Sequence, residues 1–265
     1  MKLWRSKKTA LALALAVFCS SSLLALAAPG EKTEVTADTF DYDSATGMVV
    51  AQGGVKVVRG QQTMTGQTIE YNSKTQDAHV SGGNGVQVTG PDLNMTAVEL
   101  WAVGGKQLIA QGNVVAVKGD KRLSGPRVEY FQDSEVAVTP QGGTIVMPDG
   151  NMTADHIQAF LKEDRAIGTG NVHIVSEVRK LDATSDLATY YGEKSGQDRS
   201  KIIMTGNARA VQDGNVLVGN TLNLYLDDKA MEGTGRARLV IINPNPNTGA
   251  SQNKPVEEVQ DNKDN

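Results

Sequence analysis

Met152–Ser176, with the sequence MTADHIQAFLKEDRAIGTGNVHIVS, is the stretch that decides the fold. Apolar and polar residues alternate on both sides of a charged turn at Lys162–Arg165. In the second half, Val172 and Ile174 are separated by His173. Alternation with a period of two residues is typical of a β-strand that has one buried face. The stretch therefore predicts two antiparallel strands joined by a short turn.

The same hairpin unit occurs seven times, at intervals of about 29 residues. Each unit opens with a small residue, which predicts a bend or a close approach of two backbones at Ala37, Gly66, Ala97, Gly125, Ala154, Ala183 and Gly219. Apolar residues follow at the third and fifth positions after the small residue, and positions of equal parity face the same side of a strand. Asp186 breaks this pattern in the sixth unit. We therefore expect that unit to be distorted.

The second strand of each unit carries a Gly-x-apolar step, as in Gly112-Asn113-Val114 and Gly170-Asn171-Val172. Glycine inside a strand indicates a bulge or a sharp bend. These patterns predict an all-β fold, an open twisted β-jelly roll of about 14–16 mostly antiparallel strands whose inward side chains line a long slot. A parallel β-helix is the alternative, but two polar turns per unit and one-sided alternation favour antiparallel hairpins.

The two ends of the chain differ from the repeats in composition. Residues 1–27 contain basic residues, an apolar run and the sequence Ala25-Leu26-Ala27, which predict a cleaved export signal; an uncleaved membrane anchor is the alternative. Cys19 is the only cysteine and lies in this segment, so the exported chain would have no disulfide. Residues 243–265 are polar, which predicts a disordered tail, and residues 35–242 form the predicted domain.

Charge and motif content argue against several functional classes. The formal net charge is −4, and removal of the four basic residues of the leader brings it near −8, which disfavours a nucleic-acid partner. His156 and His173 lie across one hairpin and His79 lies in another, and no third ligand has metal spacing, so we expect no metal and no cofactor. Asp38 and Asp155 recur at one motif position, where a hydrogen bond at a strand corner is a better explanation than catalysis. We therefore predict no catalytic residues and no enzyme.

The recurring pattern resembles the OstA-like family of lipopolysaccharide-transport proteins over about residues 35–242. The stretches that carry the resemblance are Ala37–Tyr42, Gly112–Val114, Ala154–Ile157 and Gly170–Val172. The resemblance implies a periplasmic protein whose apolar slot shields the acyl chains of lipid A. It also implies end-to-end stacking through edge strands, with further copies or with other OstA-like domains, into a bridge from the inner to the outer membrane.

Within that family the predicted signal favours the soluble bridge form over the membrane-anchored form, and we expect no outer-membrane barrel because the repeats end near residue 242. Two other classes stay open: a structural β-repeat envelope protein without lipid cargo and, less favoured, a carbohydrate-acting β-helix enzyme. The chain lacks the clustered carboxylates and aromatic residues that such an enzyme would need.

A lipid carrier needs a long apolar surface, because each exposed methylene of an acyl chain costs about 0.8 kcal/mol in water. Core packing is the alternative role for each apolar residue that faces inward. The residues predicted to line the slot are Phe40, Val55, Val57, Ile69, Val86, Val88, Leu100, Val128, Ile145, Met147, Ile157, Val172 and Ile174.

Overall fold

The computed structural model describes residues 33–91, 93–118, 121–147, 150–193, 195–228 and 230–242. The predicted signal and the predicted tail lie outside the described residues. The described chain forms eighteen strands: β1 Thr33–Thr36, β2 Thr39–Asp43, β3 Met48–Arg59, β4 Gln62–Asn72, β5 Asp77–Thr89, β6 Leu93–Val103, β7 Gln107–Lys118, β8 Lys121–Phe131, β9 Val136–Thr139, β10 Gly143–Met147, β11 Gly150–Ala154, β12 His156–Phe160, β13 Arg165–Ser176, β14 Leu181–Tyr191, β15 Lys201–Gln212, β16 Asn215–Tyr225, β17 Met231–Thr234 and β18 Arg238–Val240.

All strand pairings in the described part are antiparallel, and they follow the order of the chain. Four pairs of short strands are each one long strand interrupted near its middle: β1 with β2, β9 with β10, β11 with β12, and β17 with β18. Counted this way, fourteen long strands form seven hairpins, which confirms the predicted all-β roll and its strand number. The described residues include no helix of the length and apolarity that a membrane span requires.

Bulges bend the hairpins in the middle, and in three of them the bulge lies at a Gly-Asn pair: Gly112-Asn113, Gly170-Asn171 and Gly206-Asn207. In β13, Gly170 and Asn171 have φ angles of 74° and 45°. Together they lie opposite one residue of β14, because Thr169 pairs with Leu187 and Val172 pairs with Ser185. Such a bulge turns the strand direction. The sheet is therefore folded into two layers: the first contains the strand halves next to β2, β9, β12 and β17, and the second contains the halves next to β1, β10, β11 and β18.

A side-chain hydrogen bond closes the corner at two of these bulges. Asn171 donates from Nδ2 to Asp155 Oδ2 at 2.7 Å, and the amide of Asp155 donates to the Gly170 carbonyl at 2.9 Å. Asn207 Nδ2 donates to Asp186 Oδ2 at 2.9 Å. The predicted corner hydrogen bond is confirmed at Asp155, and Asp186 makes the same bond although its position is not recognised from the sequence.

The sixth unit has regular geometry, which corrects the expectation of a distorted unit. Asp186 occupies the corner position of Asp155, so the small residue that opens this unit is Ser185 and not Ala183. The third position after Ser185 is Ala188, which is buried like its counterpart Ile157. The sequence comparison was shifted by two residues because Ala183 and Ser185 are both small and share strand parity.

The space between the two layers is filled by side chains. The buried apolar residues form one continuous cluster that extends from Ala51 to Leu224. Met64, Met95, Leu100, Met152 and Ile157 are among the largest side chains that are almost completely enclosed. The open slot expected from the sequence is therefore closed in this structure by contact between the layers.

Candidate functional site: the apolar interior

An unbroken row of apolar side chains crosses the second layer, with one residue from each of the fourteen long strands. We call it the second-layer row; its members, in spatial order, are Val35, Val57, Met64, Val88, Met95, Ala116, Leu123, Ile145, Met152, Ile174, Ala183, Ala210, Leu217 and Leu239. The twelve members from Val57 to Leu217 are at most 7% exposed. At about 4.8 Å per strand, the row extends about 60 Å along the sheet.

A matching row crosses the first layer. It consists of Phe40, Ala51, Ile69, Val80, Leu100, Ala110 and Val128, followed by Thr139, Ile157, Gly168, Ala188, Met204, Leu222 and Gly233. We call it the first-layer row. Thr139 is its one polar member. The two rows together give the interior an apolar surface along the whole length of the sheet.

Most residues predicted to line the slot lie in these rows or at the corners between the layers. Those with buried side chains are Val55, Val57, Ile69, Val86, Val88, Leu100, Val128, Ile145, Ile157, Val172 and Ile174. Met147 ends β10, where it pairs with Gly150; its side chain is outside the described part of the structure. Burial makes these residues part of the interior, and contact with a lipid stays a prediction.

Phe40 is the exception among the described candidates. It pairs with the buried Ala51 and so faces inward, yet its side chain is 52% exposed. The reason is position, since β2 is the first strand of the first layer and no strand of the described chain packs beyond it. Phe40 therefore lies at the open end of the interior and is not enclosed by it.

Sequence reasoning missed the methionines, which are among the bulkiest interior side chains. Met64, Met95 and Met152 each precede the small residue of a unit by two positions. The signal was present, because this position is apolar in every unit. A Cβ added at Gly168 of the first-layer row would lie 3.1 Å from the Met152 sulfur. The second-layer methionine thus packs directly against the opposite layer.

Polar side chains mark where the apolar interior ends. Arg59, Ser176 and Gln212 are buried at the ends of β3, β13 and β15, beyond the second-layer row. Gln212 donates from Nε2 to the Arg179 carbonyl at 3.3 Å, and Ser176 Oγ accepts from the Arg179 amide at 3.2 Å. The interior therefore changes from apolar to polar at this rim.

The described residues contain no cluster of three or more His, Cys, Asp or Glu side chains that could hold a metal ion. The two inner rows consist of alkyl, thioether and aromatic groups, with Thr139 as the only hydroxyl-bearing aliphatic side chain. Such a surface can sequester hydrocarbon from water.

The model of one protein family, described as LptA/(LptD N-terminal domain) LPS transport protein, matches residues 26–100 and 103–230. No curated protein matches the chain significantly. Among solved structures, LptH from Pseudomonas aeruginosa, titled the LptA homologous periplasmic component of a lipopolysaccharide transport device, is 13% identical over 80% of this chain and 96% of that chain, with a TM-score of 0.17. That likeness is too low to carry an argument. Because the family model covers well over half of its length, the chain belongs to the LptA/LptD N-terminal domain family of lipopolysaccharide transport proteins, which are not enzymes.

Proposed function

We propose that this protein is a periplasmic lipopolysaccharide carrier that holds lipid A acyl chains between its two layers and bridges the inner and outer membranes. The observation that supports the proposal most directly is the second-layer row, which is apolar in all fourteen long strands. A fold that needed only a stable core could tolerate interruptions, whereas a path for hydrocarbon needs continuity. The predicted signal and membership of the transport family support the periplasmic location.

Lipid entry requires the two layers to separate, because their side chains are in contact. Separation is favourable only if acyl chains replace the lost apolar contacts. Each Å² of apolar surface that the acyl chains keep from water contributes about 25 cal/mol of stabilisation. Methionine side chains are flexible and adapt to irregular neighbours. Met64, Met95, Met152 and Met204, all nearly enclosed, would let the interior repack around a cargo of variable shape.

Site-specific photocrosslinking tests the location of the cargo. A photoreactive residue at Ile157, which faces the interior, should label lipopolysaccharide, whereas the same residue at Gln158, its outward neighbour on β12, should not. Val172 offers a second interior position, at the corner. Equal labelling at inward and outward positions, or no labelling at Ile157 and Val172, would refute the interior as the lipid site.

A purely structural role is the second candidate, and the closed interior favours it. A core that is already filled needs no lipid for its stability. Mass spectrometry of lipid extracted from the purified, natively folded protein separates the two functions. Co-purified lipid A supports the carrier, and its absence together with negative crosslinking would support a structural β-repeat protein.

The two ends of the sheet support the bridging part of the proposal. β1 and β2 pair only with β3, and β17 and β18 only with β16, so both outer edges leave backbone groups unpaired within the described chain. Exposed edges are templates for strand addition. Both edge strands are interrupted at the same corner, and inward apolar side chains, Phe40 at one end and Leu239 at the other, are exposed there. A second copy joined edge to edge would therefore extend both layers and cover these side chains.

Sedimentation analysis over a range of concentrations tests this assembly. Phe40→Lys and Leu239→Lys should each shift the protein toward monomer, since each places a charge in the joined interior. Val178→Lys is the matched control, because Val178 is exposed in the turn between β13 and β14, away from both edges. Unchanged association in both edge variants would refute joining through these strands.

A further inference from the structure

A pair of stacked aromatic side chains lies on the outer face of the first layer, away from the apolar interior. His79 of β5 and Trp101 of β6 are directly opposite in the strand register. Their ring centroids are 4.9 Å apart and the planes are 7° from parallel. Trp101 is the only tryptophan of the described residues. Aromatic residues make up only 5% of the sequence, which suggests no stacking platform, and the two residues meet only through strand pairing.

Trp101 lines two depressions of the outer surface. The larger has a volume of about 470 Å³ and includes Glu70, Asp77 and His79 in its lining. The smaller, of about 250 Å³, lies toward β7 and β8 and includes Ile109, Gln111 and Arg127. The larger volume falls within the range of about 300–1,000 Å³ that is usual for small-molecule sites. The tryptophan thus borders space on two sides that a small ligand could occupy.

Polar side chains next to Trp101 are held in fixed positions by one another. Arg127 Nε donates to Glu129 Oε1 at 2.6 Å, and Arg127 NH1 donates to Gln111 Oε1 at 3.3 Å. Gln107 Nε2 donates to the second oxygen of Glu129 at 3.1 Å. The planar amide, guanidinium and carboxylate groups therefore present both donors and acceptors in set orientations. Such pre-ordering reduces the entropy lost when a ligand with several hydroxyl groups binds.

The charge around the aromatic pair disfavours anions. Glu70, Asp77 and Glu99 lie near His79, and Arg127 is already neutralised by Glu129 at 2.6 Å. A phosphate or carboxylate would therefore meet net negative charge. An aromatic face combined with planar polar groups, with Arg127 already paired with Glu129, fits an uncharged ligand that has one apolar face and many hydroxyl groups.

We propose that this surface, formed by Trp101, His79, Gln111 and Arg127, binds the pyranose ring of an uncharged sugar. The C–H face of the ring packs against the face of Trp101 that is turned away from His79, and its hydroxyl groups hydrogen-bond to the amide of Gln111 and the guanidinium of Arg127 beside it. This site goes beyond the proposed lipid carriage, because it lies on the opposite face of the sheet and needs no acyl chain. The sugar comes either from a free oligosaccharide or from the saccharide part of the transported glycolipid.

Tryptophan fluorescence offers a direct readout. Trp4 and Trp101 are the only tryptophans of the full chain, so a Trp4→Phe background leaves Trp101 as the sole reporter. The neutral probes are maltotriose and the deacylated, phosphate-free oligosaccharide of lipopolysaccharide. The effect of charge is measured separately, by comparing glucuronic acid, which is anionic, with methyl glucoside, which is neutral. We expect saturable change in fluorescence with at least one neutral probe and weaker binding of glucuronic acid. Binding of one probe only identifies the source of the sugar, and binding of neither overturns the proposal.

Variants tie the binding to this surface. Calorimetric titration should give an affinity at least about tenfold lower for Trp101→Ala and about threefold lower for Gln111→Ala, a smaller change that leaves the aromatic pair intact. Tyr225→Ala is the control, since Tyr225 is an outward aromatic residue under Arg199, eight strand spacings or about 38 Å along the sheet. Sugar binding that survives both Trp101→Ala and Gln111→Ala would overturn the assignment. Because the probes carry no acyl chains, this result is independent of the lipid crosslinking.

Discussion

Ile157 and Phe40 occupy the same position of the repeat, yet one is 1% exposed and the other 52%. Ile157 lies in β12, between β9 and β13, whereas Phe40 lies in an edge strand with a neighbour on one side only. The difference teaches that a repeat unit of this fold cannot enclose its own apolar side chains. Enclosure of the middle comes from neighbouring units, and the end units present the same surface to solvent or to a partner.

Truncation of these two equivalent residues should give the largest contrast. Ile157→Ala should lower the free energy of unfolding by about 3 kcal/mol, because it removes buried surface and leaves a cavity. Phe40→Ala should lower it by less than about 1 kcal/mol, because the side chain is already half in water. Urea unfolding of dilute, monomeric protein measures both. Similar losses would mean that Phe40 is enclosed and that the two ends resemble the middle.

The corner glycine sharpens the comparison between enclosed and open positions. Gly170 and Gly196 have nearly the same φ angles, +74° and +76°. Their surroundings differ, because a Cβ added at Gly170 would lie 2.6 Å from Asp155 Oδ2, whereas a Cβ added at Gly196 would have no atom within 4 Å. We expect Gly196→Ala to cost about 1 kcal/mol through backbone strain alone. Gly170→Ala should cost about 2 kcal/mol or more, since the corner hydrogen bond must also shift. Equal thermal stability of the two variants would contradict this account of the corner.

The smallest effect concerns two turn carboxylates at the same end of the hairpins. Asp77 accepts a hydrogen bond from the amide of Gly104 in the next turn, and this bond, with that from Thr75, lowers the pKa of Asp77. The pKa of Asp43 is lowered by bonds from Thr46 and Ala45 of its own turn. The pKa of both carboxyl groups is lower in the folded state than in the unfolded state. Each ionised carboxylate therefore stabilises the folded state above the usual carboxyl pKa, and this stabilisation is lost as the pH falls through the lowered pKa.

NMR titration should therefore show both aspartates protonating below the usual range for Asp. The amide of Gly104 should follow the titration of Asp77, so that acid loosens the contact between neighbouring turns. In Asp77→Asn this response should disappear, whereas Asp43→Asn should alter only residues of its own turn. A Gly104 amide that ignores the protonation of Asp77 would show that the turns are not coupled in this way.

The repeat and its hairpins could be predicted from local patterns, because period-two alternation and turn residues act over a few neighbours. The expected corner hydrogen bond of the recurring aspartates is confirmed at Asp155, and Asp186, which breaks the pattern in the sequence, makes the same bond. The sixth unit was misaligned because small residues at Ala183 and Ser185 look alike in sequence. The strand register identifies Ser185 as the equivalent residue, and Asp186 directly after it matches the Asp155 that follows Ala154.

The interior was predicted in part. Eleven of the thirteen candidate side chains are buried, and Met64, Met95 and Met152 were overlooked although their position is apolar in every unit. Periodicity indicates which side of a strand a residue faces. It does not indicate how far the two layers approach, and that distance decides whether inward residues line an open slot or a closed one.

The amino-acid sequence by itself determined the all-β class, the sevenfold hairpin and the corners, since each depends on backbone preferences of short segments. Tertiary structure alone decided that the layers close on each other, that Phe40 and Leu239 remain exposed, and that His79 meets Trp101 on the outer face. These features depend on contacts between residues distant along the chain. Such contacts exist only after the strands have paired and the sheet has folded over.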